Sequence, residues 1–131
     1  MSFVSDYPAA SPAAATAHFH DRLSFETDCA DVAASFEGGT VDFVLLHVIG
    51  SPEAFAKSHL PGAVHLPHRH ITAEAMRAWP DETLFVVYCA GPHCNGADRA
   101  ALKLSALGRP VKVMIGGMMG WVDEGFAFET T

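Results

Sequence analysis

The sequence predicts an α/β domain: a parallel sheet covered by helices on both faces. Three observations lead there. Strand-like and helix-like segments alternate from about residue 23 onward, the pattern of stacked β-α-β units. Two segments, VDFVLLHVI (41–49) and TLFVVYC (83–89), are almost continuously apolar, as strands buried on both faces are. The 131 residues, 50% hydrophobic and 18% charged, suit one folded domain.

Residues 1–22, rich in Ala, Pro and Ser at their start, read as a flexible or surface-hugging arm, with the domain proper at 23–131. LSF (23–25) is a candidate short strand. Thr27 or Asp28 caps a helix that runs to Phe36 and ends at EGG (37–39). After the strand at 41–49, Ser51 and Pro52 open a helical turn, with Pro at the first helical position. LPGA (60–63) is a turn and AVHL (63–66) a short strand. TAEAMRAW (72–79) reads as a helix capped by Thr72. The strand at 83–89 leads into a helix over 96–107, where Ala97, Ala100, Ala101, Leu104 and Leu107 share one face. Gly108 and Pro110 stop it. VKVMI (111–115) is the last strand, and MGWVDEG (119–125) a short closing helix.

The formal charge of −7 speaks against nucleic acid and acidic membranes as partners, since both call for clustered Lys and Arg. No apolar run approaches the roughly 20 residues of a membrane span. The first residues lack the basic and unbroken apolar regions of a signal peptide. Three cysteines, Cys29, Cys89 and Cys94, are too few for a disulfide scaffold and fit a reducing compartment, so a cytoplasmic location is expected.

The chemistry concentrates in VVYCAGPHCNGADRAA (86–101). Cys89 closes a predicted strand, and a predicted helix begins at Gly96. Ligands of open α/β sheets gather at the carboxyl ends of strands. A loop there can aim main-chain N–H groups at a sulfur, and a helix N-terminus favours negative charge. Such a setting lowers a thiol pKa and yields the nucleophilic thiolate. The candidate loop is Ala90, Gly91, Pro92, His93, Cys94, Asn95 and Gly96: glycines for close curling, Pro92 for stiffness, His93 as a candidate cation beside the sulfur.

Three stretches together resemble the rhodanese-like (sulfurtransferase) domain family. EAFAKSHLPGAVHLP (53–67) is similar to its pattern E-x-[FY]-x-x-x-H-[IL]-P-G-A-x-[HN]-[IL]-P. VVYC (86–89) resembles the strand that ends on its catalytic cysteine, and GGMMGWVDEG (116–125) its G-G-x-x-x-W-x-x-x-G ending. The resemblance covers about residues 23–128. It implies a five-stranded parallel sheet with helices on both faces, and Cys89 as the residue that accepts a sulfane sulfur from a donor such as thiosulfate. A thiol or cyanide then takes the sulfur from the Cys89 persulfide. The partners implied are a small-molecule sulfur donor and a thiol acceptor, with no cofactor, in a monomer or homodimer.

The chain also departs from the family. Where Asp-x-Arg commonly follows the second long strand, it has His47 and Ile49, and where the loop carries an arginine it has Cys94. Less attraction for thiosulfate is expected. A C-x5-R phosphatase loop is excluded because residue 95 is Asn. Cys94 is either a small loop-filling residue or a second thiol that attacks a Cys89 persulfide, releasing sulfide and leaving a disulfide, or rescues oxidised Cys89; the latter roles need Cα atoms within about 7 Å. His47 is expected beneath the site. Arg99, on the first turn of the following helix, reaches either the site or a surface acid. Met118, Met119 and Trp121 are expected in the core or at the mouth of the site. HLPHRH groups His65, His68 and His70, yet matches no zinc spacing, so no metal is expected. Two other readings stay open: a noncatalytic rhodanese-like module that binds a partner or senses sulfur or oxidants, and an oxidoreductase cycling Cys89 and Cys94.

Overall fold

The computed structural model describes residues 1–131. The elements, in chain order, are α1 (Pro12–Phe25), β1 (Glu26–Thr27), α2 (Cys29–Glu37), β2 (Phe43–His47), α3 (Pro52–Lys57), β3 (Val64–His65), β4 (Leu84–Tyr88), α4 (Gly96–Ala106), β5 (Val111–Met114) and α5 (Gly117–Asp123). The five strands form one sheet in the order β1-β5-β4-β2-β3, with every pairing parallel. The α/β class and five-stranded sheet expected from the sequence are therefore observed.

The inner strands explain the layering. In β2 and β4, Leu45 stands beside Val86 and Leu46 beside Val87, so alternate residues face opposite ways. Leu46, Val48, Phe85, Val87 and Cys89 pack with Ala100 and Leu104 of α4 on one face. Leu45, Val86, Tyr88 and Met114 pack with Val32 of α2 and Trp121 of α5 on the other. Both faces of these strands are buried, which is why their sequences are apolar without alternation.

Three expectations are corrected. The residues read as an arm carry α1, and the 22/23 boundary falls inside that helix. Ser11 caps it by accepting the Ala14 N–H, Pro12 sits in its first turn, and alanines follow. LSF ends this helix, and the edge strand is instead Glu26–Thr27, paired with β5. No residue of α1 is buried. The helix expected over 72–79 shrinks to a 3₁₀ turn, Ala75–Ala78, although Thr72 does accept the Ala75 N–H. Pro80 holds Trp79 extended and stops further winding. Buried Arg109 then donates from its guanidinium to the carbonyls of Met76, Trp79 and Pro80. No helix is long and apolar enough to cross a membrane.

Candidate active site

β4 delivers Cys89 one residue past its last hydrogen-bonded position, on the face covered by α4. The chain then turns through Ala90–Asn95, where the Cys94 N–H reaches the Gly91 carbonyl, and enters α4 at Gly96. Space dictates glycine there. A Cβ on Gly96 would stand 2.7 Å from the Ile49 Cγ2, 3.4 Å from the Cys94 Sγ and 3.5 Å from the Cys89 Cβ. Both cysteines and Ile49 therefore crowd the same spot. A small cleft of about 200 Å³ opens beside them, walled by Cys89, Cys94, Asp98, Ile115 and Gly117 among others.

The loop is backed by α5. The Met118 and Met119 N–H groups donate to the carbonyls of Cys89 and Ala90, each over 2.9 Å. Gly117, at φ +58°, lies against that backbone, so closely that a Cβ would fall 2.3 Å from the Cys89 carbonyl oxygen. The expected role of the C-terminal residues as mouth is thus filled by Gly116 and Gly117. Trp121 is buried on the other face with its indole N–H on the Ala127 carbonyl, and Met119 lies over Gly91.

The electrostatics correct the expectation of a lowered Cys89 pKa. Cys89 is only 4% exposed, and its thiol donates to the Cys94 carbonyl over 3.2 Å. Burial pushes its pKa up, and its contact with the Cys94 thiol adds to that, against a smaller opposing pull from the main chain at Ala97 and Gly91. Cys94 goes the other way. Burial alone would raise it, but the neighbouring Cys89 side chain and the main chain at Gly96 and Ala90 bring it below the ordinary thiol value. The Gly96 N–H donates to its Sγ over 3.4 Å. The loop's dipoles thus favour an anion at the outer of the two sulfurs. Cys29, packed against the Ile115 and Gly117 carbonyls, is pushed up to about 11 by burial and by Asp28 and Glu124.

The candidate supporting residues are placed elsewhere. His93 and Asn95 are exposed, as are Ala90 and Pro92. Arg99 turns back along α4 to the Asn95 side chain over 3.1 Å, meeting neither the cleft nor an acid. Ile49, at the position of the family's arginine, sets a methyl group beside the thiols, and Asp98 is the charged residue lining the cleft.

His47 is on the wrong face for the expected role. It pairs with Tyr88 in the sheet, and Cys89, one residue on, points the opposite way. It sits instead in an aromatic group with buried Tyr88 and half-buried Phe55 and His65. The Tyr88 hydroxyl accepts the Leu60 N–H over 3.1 Å and bonds the His47 Nδ1 over 2.6 Å. That buried phenol, which sequence reasoning missed, gives no signal in a strand where tyrosine is an ordinary residue. Burial, followed by His65 and His59, lowers the His47 pKa to about 4. The folded protein keeps this ring neutral while the unfolded chain protonates it near pH 6.5, so stability is full above that pH and declines as the pH falls toward 4. The loss expected from this group is about 3 kcal/mol. Urea unfolding at pH 7 and pH 4.5 checks it: His47→Gln should lose less stability on acidification than the parent. No group of three or more His, Cys, Asp or Glu side chains is arranged to hold a metal ion.

A family model for the rhodanese-like domain matches residues 28–124. A protein of Bacillus halodurans with a solved crystal structure is 35% identical, superposes with a TM-score of 0.87, and is matched over 92% of this chain and 88% of its own. A rhodanese-like domain of an Anabaena protein, solved by NMR, is 22% identical with a TM-score of 0.70, over 81% of this chain and 79% of its own. A thiosulfate sulfurtransferase from Pseudomonas aeruginosa is 20% identical with a TM-score of 0.64, over 85% of this chain but 21% of its own. At these identities the last two likenesses bear on the fold alone. No curated protein matches the chain.

Proposed function

Since the chain belongs to the rhodanese-like domain family, we propose that it is a sulfurtransferase moving a sulfane sulfur through a persulfide on Cys89. The observation that carries this reading is the pair of thiols at the carboxyl end of β4, beside a cleft. In the first step the Cys89 thiolate attacks the outer sulfur of a donor such as thiosulfate. The donor's sulfur–sulfur bond breaks, sulfite leaves with the electron pair, and a persulfide remains. In the second step a thiolate or cyanide attacks the terminal sulfur and the Cys89 thiolate returns. The difficult transfer is divided into two displacements. The raised pKa of Cys89 makes the thiolate scarce at neutral pH, so loading accelerates as the pH is increased.

The test is an intact mass after incubating the reduced protein with thiosulfate, at neutral and alkaline pH. The expected result is a gain of one sulfur atom, faster at the higher pH and removed by cyanide. The noncatalytic module has a specific observation in its favour, the apolar Ile49 and acidic Asp98 where a cation would help an anionic donor. An unchanged mass would support it. A loss of two hydrogens with no added sulfur would support the Cys89–Cys94 oxidoreductase.

A further inference from the structure

We propose that Cys94 is a second catalytic thiol, taking the sulfane sulfur from Cys89 and presenting it to the outside acceptor. The inference rests on the sulfurtransferase reading and adds the exit route of the sulfur.

Position is the first argument. The Cys89 thiol lies 3.2 Å from the Cys94 carbonyl oxygen, and the Cys94 Sγ and Cys89 Cβ flank one point above the Gly96 Cα. Both residues line the same cleft. A sulfane atom on Cys89 extends about 2 Å beyond its Sγ, the length of a sulfur–sulfur bond, within this shared space.

Exposure is the second. Cys89 is 4% exposed, packed among core residues that include Val87, Ala97 and Ala100, whereas Cys94 is half-buried at the loop surface. A slender nucleophile such as cyanide can follow the cleft inward. A thiol on a bulky carrier cannot bring its sulfur to such a depth, but it can meet Cys94.

Charge is the third. The Gly96 N–H points at the Cys94 sulfur, while the Cys89 thiol spends its own proton on a carbonyl. The attacking anion is therefore better held at residue 94 and the leaving sulfur is positioned to be reprotonated at 89.

The step balances without an oxidant or reductant. The Cys94 thiolate attacks the outer sulfur of the protonated Cys89 persulfide, and a bond forms between the Cys94 Sγ and that sulfur. The bond to the Cys89 Sγ breaks, and its electron pair stays on Cys89, which takes the proton. The acceptor thiolate then attacks the same sulfur on Cys94, becomes a persulfide, and releases the Cys94 thiolate.

The test loads the full chain with thiosulfate, removes the donor, alkylates the persulfides and maps them by peptide mass. Discharge is then timed with glutathione as the bulky thiol and with cyanide. In the parent, the sulfur is expected on both Cys89 and Cys94. In Cys94→Ser and Cys94→Ala it should remain on Cys89, with discharge to glutathione slowed at least about tenfold and discharge to cyanide changed less than about twofold. Discharge of both variants to glutathione at the parent rate would overturn the relay and leave the sulfurtransferase reading standing. So would release of sulfide with a Cys89–Cys94 disulfide, which would mean that Cys94 attacks the inner sulfur. A parent chain that takes up no sulfur would overturn both.

Discussion

Cys89→Ser is expected to remove sulfur loading completely, with cyanide-dependent turnover falling at least about a thousandfold. The hydroxyl fits the space of the thiol and can keep its hydrogen bond to the Cys94 carbonyl. What it lacks is an accessible anion, since an alcohol holds its proton far more tightly than a thiol, and an oxygen attacks sulfane sulfur poorly. The fold should survive, because the change is small and its hydrogen-bond acceptor is already in place; a stability change of about 1 kcal/mol is the scale to expect. Intact mass after thiosulfate, beside a thermal unfolding curve, reads both. A Cys89→Ser protein that still gained sulfur would move the entry point to Cys94 and overturn the assignment of the primary nucleophile.

Gly117→Ala is expected to cost the largest share of stability of any single methyl group near the site, about 3–5 kcal/mol, lowering the unfolding midpoint by about 10–20 °C. Two penalties combine. Residue 117 has φ +58°, a conformation costing an L side chain about 1 kcal/mol. The new Cβ would also meet backbone on three sides: the Cys89 carbonyl oxygen at 2.3 Å, the Gly91 nitrogen at 2.9 Å and the Ala90 carbonyl carbon at 3.0 Å. None of these atoms can swing away as a side-chain tip can. Relief comes only by separating α5 from the loop, which breaks the Met118 and Met119 hydrogen bonds to Cys89 and Ala90. Activity should therefore fall even where the variant remains folded. An unfolding midpoint within about 2 °C of the parent would show that α5 does not brace the loop.

These cases show what could be read from residues alone. Strand position was legible because β2 and β4 are buried on both faces, and the parallel order follows from the helices between them. Cys89 was legible because it ends such a strand. α1 was not, although Ser11–Pro12 repeats the start signal that identified α3 at Ser51–Pro52. A helix is recognised by its apolar face, and α1 buries no residue. His47 was misplaced because its relation to Cys89 depends on the register between two strands. One step along β4 separates its partner Tyr88 from Cys89 and reverses the face. The acidity of Cys89 runs opposite to expectation for a related reason. The loop's glycines and helix start are visible in sequence, but the depth at which each sulfur lies is a property of packing, and depth decides which one the dipoles can ionise.

Asp98 as the charged residue lining this cleft has a consequence for encounter rates on the sulfurtransferase reading. A doubly charged donor diffuses toward a molecule of its own sign, with no fixed cation among the cleft-lining residues to reverse the repulsion. Thinning the ionic atmosphere lengthens the reach of that repulsion, from about 10 Å in 0.1 M salt to about 30 Å in 0.01 M. If the chain is a sulfurtransferase, an uncharged sulfane carrier would escape this barrier, and the doorway would sort donors by valence before either thiol is reached.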